Sequence, residues 1–530
     1  MKDLFFLHRP LLICLAVSGA TACNSITGIN DFKISTVEKE CNVTSECAAQ
    51  TTTLEGGLKN PSVCVQPEGK CVSLLLPKTA ATPDKPMPPL AACETVTGDP
   101  SDDNAIIIGS LFATTGATGA TNLQRQQGAL LAVQEINAVG GIPSASGSPR
   151  KLVMISCDVN GDPIGPAKHL VEELKVPAIV GPNTSQDTLD VSNQVTIPGN
   201  TVSISPSAVA SSIVDLIDDD LTWLMVPTDV QRAPLMISQI NEIEAGIKAE
   251  RSVATVKLGV VFRNDALGIG TRSALNTLTL NGKSLSDPVN LGKNVQIDPY
   301  DGKQKDQSAL VANYVQFAPD IIVLAGTAEA ITSVMVPLEA AWTAPMRPKY
   351  ILIDSSKSPD LITAVTGNND LRARVRGTGV TTSPASKAVN EAFLNDYKIT
   401  VGTSATASGT GPAYDAAYAI AYALATVKDE VITGSMVAKG LRMLAGGATK
   451  VATGPTTALT AFKKLSAGEA IDALGTFGPL GWDPNGAVIG GTLEMWCIAL
   501  PGATPVFQSS GLTFDIMTQQ AAGTYTQCQP

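Results

Sequence analysis

Runs of β-branched residues alternate with helix-length stretches between residues 104 and 213, and this alternation constrains the fold more than any other feature of the sequence. The first run, Ala-Ile-Ile-Ile-Gly at 105–109, is typical of a strand buried on both faces of a parallel sheet. Apolar residues then recur at helical spacing until Gly140 and Gly141, which end the predicted helix. Further strands are predicted at 152–155, 177–180 and 201–204. The pattern predicts a doubly wound α/β sheet.

Hydroxyl-bearing residues follow several of these predicted strands. Thr115 lies in the loop 113–121, while Ser185 and Ser207 follow the third and fourth strands. Ligands of open α/β sheets bind beyond the carboxyl ends of the strands, so these residues predict a ligand site. The alternative is that the loop hydroxyls are solvated or cap helices.

The α/β alternation restarts after residues 223–227. Strands are predicted at 258–262, 321–325 and 350–353, each beside a stretch long enough for a helix. Two such lobes in one chain create a cleft between them, which is a common place for a small-molecule site.

The N-terminus is typical of an exported protein. Lys2 and Arg9 flank an apolar run, 10–17, that is too short to span a bilayer. Small residues then precede Cys23, as in a bacterial lipobox, which predicts a signal peptide over 1–22 and a lipid anchor on Cys23. The protein is therefore expected in the periplasm or cell envelope. The alternative is ordinary cleavage after Ala22, which would release a free secreted protein.

Cysteine usage supports export. With Cys14 in the signal and Cys23 lipidated, an even number remains, which fits up to four disulfides: Cys41, Cys47, Cys64, Cys71, Cys93, Cys157, Cys497 and Cys528. The first four lie in a Cys-rich segment, 23–73, predicted to be a small disulfide-stapled unit, with a zinc site as the alternative. Of the others, Cys93 is expected to pair with Cys157 and Cys497 with Cys528, although the sequence does not fix these pairings.

The segment 74–103 is rich in proline and predicts a semi-rigid tether between the Cys-rich segment and the first lobe. Such a tether would hold the lobes away from the membrane.

Composition argues against several function classes. The net charge of −11, without clustered Lys and Arg, argues against nucleic-acid binding. After signal removal His169 is the one histidine, predicted on a surface helix, and there is no G-x-S-x-G elbow, H-E-x-x-H pair or P-loop. We therefore expect no enzyme activity, no cofactor and no metal, with a hydrolase that uses carboxylates alone as the alternative.

Seven short motifs occur in an order and spacing that resembles the type I periplasmic solute-binding proteins, within them the branched-chain amino-acid (leucine-binding) group of ABC transporter receptors. The motifs lie at 115–116, 128–129, 135–142, 179–182, 204–208, 411–416 and 478–486. The resemblance covers roughly residues 104–500.

This resemblance implies two Rossmann-like lobes joined by three chain crossings, near Val226–Asp229, Gly377–Thr382 and Phe477–Trp482. The N-terminal lobe would comprise 104–226 with 383–478, and the C-terminal lobe 227–382 with 483–530. The implied function is that of a solute-binding lipoprotein of an ABC importer, which closes on an amino acid, amide or related polar ligand and docks on a membrane permease. The alternatives are a ligand-sensing module of a signalling system and an envelope lipoprotein with a degenerate cleft.

The resemblance also implies ligand contacts. Ser185, Ser207 and Ala208 correspond to positions around the ligand carboxylate, and Asp354 to the acid that pairs with the ligand amine. Thr121, Leu267 and Thr327 stand where aromatic residues are usual, and Val209 replaces a threonine. Because an amino-acid site needs paired donors and an acceptor, these replacements leave the substrate open.

Overall fold

A computed structural model describes residues 39–54, 57–77, 92–144, 147–428 and 431–528. The predicted signal peptide, 1–22, and the predicted lipidation site, Cys23, lie outside these residues. Among the described helices, none has both the length and the apolar composition needed to cross a bilayer.

The first sheet has six strands, and β-branched residues form its centre. Their order across the sheet is Thr222–Leu224, Val202–Ser205, Ala178–Val180, Ile106–Phe112, Leu152–Asp158 and Ala92–Thr97. All neighbours are parallel except the last pair. The four strands predicted between 105 and 204 are therefore confirmed.

Helices cover both faces of the first sheet and form the first lobe. Helix Gly119–Ala138 packs against helix Thr410–Leu424, and the carbonyl oxygen of Thr410 lies so near Gly128 that a Cβ there would approach it to 2.6 Å. A glycine at position 128 thus permits the close helix crossing. The remaining elements of this lobe are Ile164–Lys168, His169–Glu173, Ser185–Val191, Ser192–Thr196, Ser211–Val214, Lys387–Val401, Gly434–Leu441, Arg442–Leu444, Thr449–Ala452, Pro455–Ser466 and Ile471–Leu474.

The second sheet has eight strands and forms the second lobe. Their order is Val295–Tyr300, Leu258–Arg263, Ile321–Ala325, Lys349–Leu352, Val375–Thr381, Thr492–Ala499, Val506–Asp515 and Gln520–Ala522. The first five are parallel and the last three antiparallel. Around them lie Asp229–Arg251, Ala266–Ala274, Leu275–Thr277, Thr279–Leu280, Lys283–Ser284, Ser308–Phe317, Ala328–Ala330, Ile331–Met335, Val336–Ala341, Asp354–Ser356, Pro359–Val365 and Asn369–Arg374, with Pro384–Ser386 on the return to the first lobe.

The chain crosses between the sheets three times, after Thr222–Leu224, after Val375–Thr381 and before Thr492–Ala499. The crossings are hydrogen-bonded to one another. Trp482 Nε1 donates to the Leu224 carbonyl oxygen at 2.7 Å, and the Ser383 N–H donates to that of Phe477 at 2.9 Å. The crossings coincide with those that the resemblance implies, and together they form a hinge.

The N-terminal segment packs directly on the first lobe. Its helix Thr44–Gln50 and hairpins Thr52–Thr53/Lys59–Asn60 and Ser62–Val65/Lys70–Ser73 are held by disulfides Cys41–Cys64 and Cys47–Cys71. The sulfurs of Cys41, Cys47 and Cys64 lie within 4.8 Å of one another, but the disulfides leave no thiolate for the alternative zinc site. Disulfides Cys93–Cys157 and Cys497–Cys528 match the expected pairs.

The tether predicted over 74–103 is wrong at both ends. Leu74 is fully buried with Val153 and Ile155 of the first sheet, and Ala92–Thr97 adds an edge strand to that sheet. Residues at both ends of the segment pack against the first sheet or pair with it, and the proline content alone does not reveal this. The first lobe therefore begins before residue 104, and residues 78–91 lie outside the described part of the chain.

His169 is buried, not on a surface helix as predicted. The N-terminal segment covers it: its Nε2 lies 3.1 Å from the Leu74 carbonyl oxygen and its Nδ1 2.7 Å from Glu173 Oε2. Both ring nitrogens are thus occupied by structural contacts.

Candidate functional site

A cleft of about 1250 Å³ lies between the two lobes. From the first lobe it is lined by residues of the loop and helix start at 117–125, by 183–185 and by the segment 405–412. From the second lobe it is lined by the first turns of helix Asp229–Arg251 and by residues 353–363. The carboxyl ends of parallel strands lead into it from both sheets, which is the predicted place for a ligand.

Two hydrogen bonds bridge the cleft. Ser408 Oγ donates to Asp354 Oδ2 at 2.8 Å, and the Ala266 N–H donates to Gln186 Oε1 at 3.2 Å. Each bond joins the first lobe to the second, so the structure has the lobes in contact across the opening.

The structure brings six of the eight predicted ligand residues to the cleft: Thr121, Ser185, Ser207, Leu267, Thr327 and Asp354. It does not bring Thr115 or Ala208 there. The Thr115 hydroxyl turns towards the neighbouring strand and donates to Asp158 Oδ2 at 2.6 Å. Ala208 is buried in a turn in which its N–H donates to Ser205 Oγ at 3.1 Å. These two residues therefore make hydrogen bonds within the first lobe and do not line the cleft.

The two cleft serines differ in what they can offer a ligand. Ser185 Oγ accepts hydrogen bonds from the N–H groups of Val209 at 3.1 Å and Ala210 at 3.2 Å, which leaves its proton available for donation. Ser207 instead donates its proton to the Asn183 carbonyl oxygen at 2.8 Å. Ser185 can therefore act as a donor to a ligand, while Ser207 is suited to accept.

Arg125 brings a positive charge from the first lobe. Its Nε donates to the Ser408 carbonyl oxygen at 2.7 Å and its Nη1 to Asn122 Oδ1 at 2.7 Å, which fix the plane of the guanidinium. Burial lowers the pKa of Arg125 to about 10, and the negative charge of Asp354 opposes that shift. The group is therefore still protonated at neutral pH.

Arg232 brings a second positive charge, from the first turn of helix Asp229–Arg251. It is 8% exposed, and its Nε donates to the Pro227 carbonyl oxygen at 2.8 Å. Burial lowers the pKa of Arg232, and the charges of Asp354 and Asp229 oppose this shift. Among the described residues, no carboxylate oxygen lies within 4.0 Å of a nitrogen of Arg125 or Arg232.

Two cleft carboxylates each have one oxygen without a hydrogen-bond partner among the described residues. These buried atoms are Asp354 Oδ1 and Asp229 Oδ2. Asp229 Oδ1 accepts from the Ser211 N–H at 3.0 Å. Burial raises the pKa of Asp229 to about 6, against the lowering effect of the Ser211 hydrogen bond.

The other basic groups that line the cleft are already paired. Arg263 lies 2.6 Å from Asp265 and 3.4 Å from Glu329, and Lys357 lies 3.2 Å from Glu494. Helices Gly119–Ala138 and Thr410–Leu424 also begin at the cleft and direct their positive ends towards it. The unpaired positive charge of the described cleft therefore resides on Arg125, Arg232 and the two helix ends.

Neither Arg125 nor Arg232 was predicted from the sequence. A signal was present, because each arginine lies in the first two turns of a helix that begins where a strand or crossing ends. On periodicity alone, however, a helical arginine is expected to face solvent.

No protein-family model and no curated protein matches the sequence. Solved structures do match the fold. The branched-chain amino-acid transporter substrate-binding protein LivJ from Streptococcus pneumoniae, in complex with isoleucine, is 17% identical, with a TM-score of 0.55 over 76% of this chain and 100% of that one. The leucine-binding protein LivK from Thermotoga maritima is 15% identical, with a TM-score of 0.55 over 76% and 98%.

A third match is a solute-binding protein of an ABC transporter from R. palustris, in complex with benzoate. It is 13% identical, with a TM-score of 0.54 over 80% of this chain and 100% of the other. At these identities the likeness concerns the fold, and it agrees with the two lobes, the three crossings and the cleft described above.

Proposed function

We propose that this chain, which has the two-lobed type I solute-binding fold, is the extracytoplasmic solute-binding component of an ABC importer. It binds a small polar solute, such as an amino acid, an amide or a related compound, between its lobes and releases it unchanged. The observation that carries the proposal is the cleft of about 1250 Å³ between two lobes joined by three crossings.

The polar groups of the cleft support solute binding. Ser185 offers a hydroxyl donor, Asp354 offers an unpartnered acceptor oxygen, and Arg125 and Arg232 offer charged donors. Burying such groups without partners is costly, so a ligand that supplies the missing hydrogen bonds gains affinity. This chemistry fits a polar solute better than an apolar one.

The open volume of the cleft argues against the alternative of a degenerate envelope lipoprotein. A cleft that had lost its ligand would be expected to fill with the protein's own apolar side chains, because packed interiors leave few large voids. Here the space exceeds the usual range for small-molecule pockets, roughly 300 to 1000 Å³.

Binding would act through the hinge. A solute that contacts both lobes stabilises the closed arrangement over the open one by the difference in its affinity for the two. The closed form then presents a surface made by both lobes, which is the surface we propose for a membrane permease.

The proposal is tested by thermal denaturation of the protein against the standard amino acids, their amides and benzoate. A bound solute must raise the melting temperature, because it stabilises the folded protein. At a hundred times its Kd the added free energy of unfolding is about 2.7 kcal/mol. X-ray scattering of the same samples is expected to show a smaller radius of gyration with the solute present. If no compound changes either quantity, solute binding of this class is contradicted.

Membrane attachment through Cys23 is a separate part of the proposal. In a bacterial host that lipidates such sites, the wild-type protein should partition with membranes, and the Cys23→Ser variant should become soluble in the same fractionation. Cys14→Ser lies in the same signal region and serves as the matched control. Equal partitioning of wild type and Cys23→Ser would contradict the anchor.

A further inference from the structure

We infer that Arg125 and Arg232 hold a carboxylate of the solute from opposite lobes, so that the ligands of this protein are carboxylic acids. The inference rests on the proposed function and goes beyond it, because it names the chemical group that the cleft selects. Neither arginine is among the ligand contacts that the resemblance implies.

The guanidinium of Arg125 is held in place with donors to spare. Nε and Nη1 are used by the Ser408 carbonyl oxygen and Asn122 Oδ1, at 2.7 Å each, while Nη2 has no partner among the described residues. A guanidinium held by two of its donors is pre-organised, so little side-chain entropy is lost when a ligand binds the remaining ones.

Arg232 has even more unused capacity. Nε donates to the Pro227 carbonyl oxygen at 2.8 Å, and no other hydrogen bond or ion pair of this side chain occurs within the described part of the molecule. With 8% of its surface exposed, the residue is removed from bulk water but lines the cleft. A buried cation in this state is costly unless an anion joins it.

The carboxylates of the protein do not fill this role. The charge of Asp354 acts to raise the pKa of both arginines, and the charge of Asp229 acts to raise the pKa of Arg232. Neither carboxylate, however, comes within 4.0 Å of a nitrogen of either guanidinium. Asp354 is instead tied to Ser408, and Asp229 to the Ser211 N–H. The two arginines therefore retain donors suited to the two oxygens of a carboxylate.

The placement on opposite lobes couples this recognition to closure. Arg125 belongs to helix Gly119–Ala138 of the first lobe and Arg232 to helix Asp229–Arg251 of the second. Two positive charges that approach across the opening repel each other, and an anion between them turns repulsion into attraction. A carboxylate would thus favour the closed arrangement, whereas a neutral solute would not.

Two sources of carboxylate share this chemistry: zwitterionic amino acids and acids without an amine. Asp354 Oδ1 distinguishes them, since an ammonium group could donate to that unpartnered oxygen, while an acid without an amine would leave it unsatisfied. The test therefore includes both kinds.

The experiment compares acids with their matched amides on the full-length protein. The probes are L-leucine with L-leucinamide, benzoate with benzamide, and succinate with succinamide, followed by the remaining standard amino acids, using thermal shift and then calorimetry. We expect at least one acid to bind and its amide to bind at least about tenfold more weakly. Arg125→Gln and Arg232→Gln should each weaken binding of that acid about tenfold to a hundredfold, the range for lost hydrogen bonds to charged groups.

Arg272→Gln is the matched control, because that guanidinium contacts Asn276 on the surface and does not line the cleft. It should bind the acid as the wild type does. Unliganded melting curves verify folding of the variants, and Arg125→Lys and Arg232→Lys, which keep the charge without the planar fork, replace any glutamine variant that does not fold.

Amides that bind as tightly as acids would overturn the inference and leave the proposed function intact. The same holds if the acid binds the arginine variants as tightly as the wild type. Absence of binding by every probe would overturn the inference together with the proposed function.

Discussion

The hydroxyl of Ser408 donates a hydrogen bond of 2.8 Å to Asp354 and so joins the two lobes across the cleft. The same carboxylate retains Oδ1, which has no partner among the described residues. One oxygen thus secures the contact between the lobes while the other is free for a solute.

Replacing Ser408 by alanine should favour the open arrangement of the ligand-free protein. The substitution removes a hydrogen bond to a charged acceptor, worth about 1 to 2 kcal/mol, and it does so at a contact that exists only when the lobes meet. Small-angle X-ray scattering should report a larger radius of gyration. Ser435→Ala is the matched control, because Ser435 Oγ donates to Asn200 Oδ1 at 2.7 Å outside the cleft. Equal radii for wild type and Ser408→Ala would argue against a closing role.

Asp229→Asn should stabilise the protein above pH 6. Burial raises the pKa of Asp229 to about 6 from its ordinary value of 3.8, so the folded state binds the proton more tightly than the unfolded state. The wild type therefore loses stability as pH rises from about 4 to about 6, by about 2 to 3 kcal/mol, and asparagine avoids this loss. Urea unfolding of the wild type and Asp229→Asn at pH 4 and pH 7.5 measures the difference in stability. We expect the variant to be more stable than the wild type only at the higher pH.

Asp415→Asn is the instructive comparison for that experiment. Burial raises the pKa of Asp415 to about 6 as well, but this carboxylate accepts three hydrogen bonds of 2.7 Å, from the Thr453 and Thr476 hydroxyls and the Thr476 N–H. The side-chain amide nitrogen of asparagine would face hydroxyl or N–H donors at this position. The free energy of unfolding of this variant should therefore fall by about 1 to 3 kcal/mol at pH 7.5. If both substitutions stabilise the protein, the number of hydrogen bonds that each carboxylate accepts does not determine the outcome, and the prediction is contradicted.

Trp482→Phe should loosen the hinge. The indole Nε1 of Trp482 bonds the buried Leu224 carbonyl oxygen at 2.7 Å, and its ring meets Trp223 edge to face with centroids 5.2 Å apart. Loss of the hydrogen bond leaves a buried acceptor, at a cost of about 1 to 3 kcal/mol. Trp342→Phe removes a similar bond, to the Met346 carbonyl oxygen at 2.9 Å, away from the crossings. Both variants should melt earlier, and only Trp482→Phe should change the scattering profile.

Removal of the Cys497–Cys528 disulfide should destabilise the second lobe. The bond closes 31 residues of sequence, for which restriction of the unfolded chain corresponds to about 3 to 4 kcal/mol. The double serine variant should show this loss in urea unfolding. The Cys41–Cys64 double serine variant is the comparison, since that disulfide lies within the N-terminal segment and its loss should leave the melting of the second lobe unchanged.

The sequence predicts the parallel strands of both sheets well, because runs such as Ile106–Phe112 are buried on both faces and carry little besides apolar residues. It misses Thr222–Leu224, Val295–Tyr300 and Val375–Thr381, and in the last of these two glycines interrupt the pattern. A Cβ on Gly377 would collide with the indole ring of Trp496, which lies on the adjacent strand but 119 positions later. Such a requirement is set by tertiary packing and has no local signal.

The lining of the cleft was predictable where it depends on strand ends, as for Ser185, and unpredictable where it depends on contacts distant in sequence. Arg125 and Arg232 lie in helices whose sequences would suit a solvated surface equally well. Arg125 contacts Ser408, which lies 283 positions later in the chain, and a single helix contains no record of such a neighbour.

The attachment of the N-terminal segment makes it a part of the first lobe. Cys93 is covalently linked to Cys157 of the central sheet, and Leu74 is buried against the same sheet. The disulfide-bonded segment therefore moves with the first lobe as one body. Any opening or closing of the cleft changes the position of the second lobe relative to both.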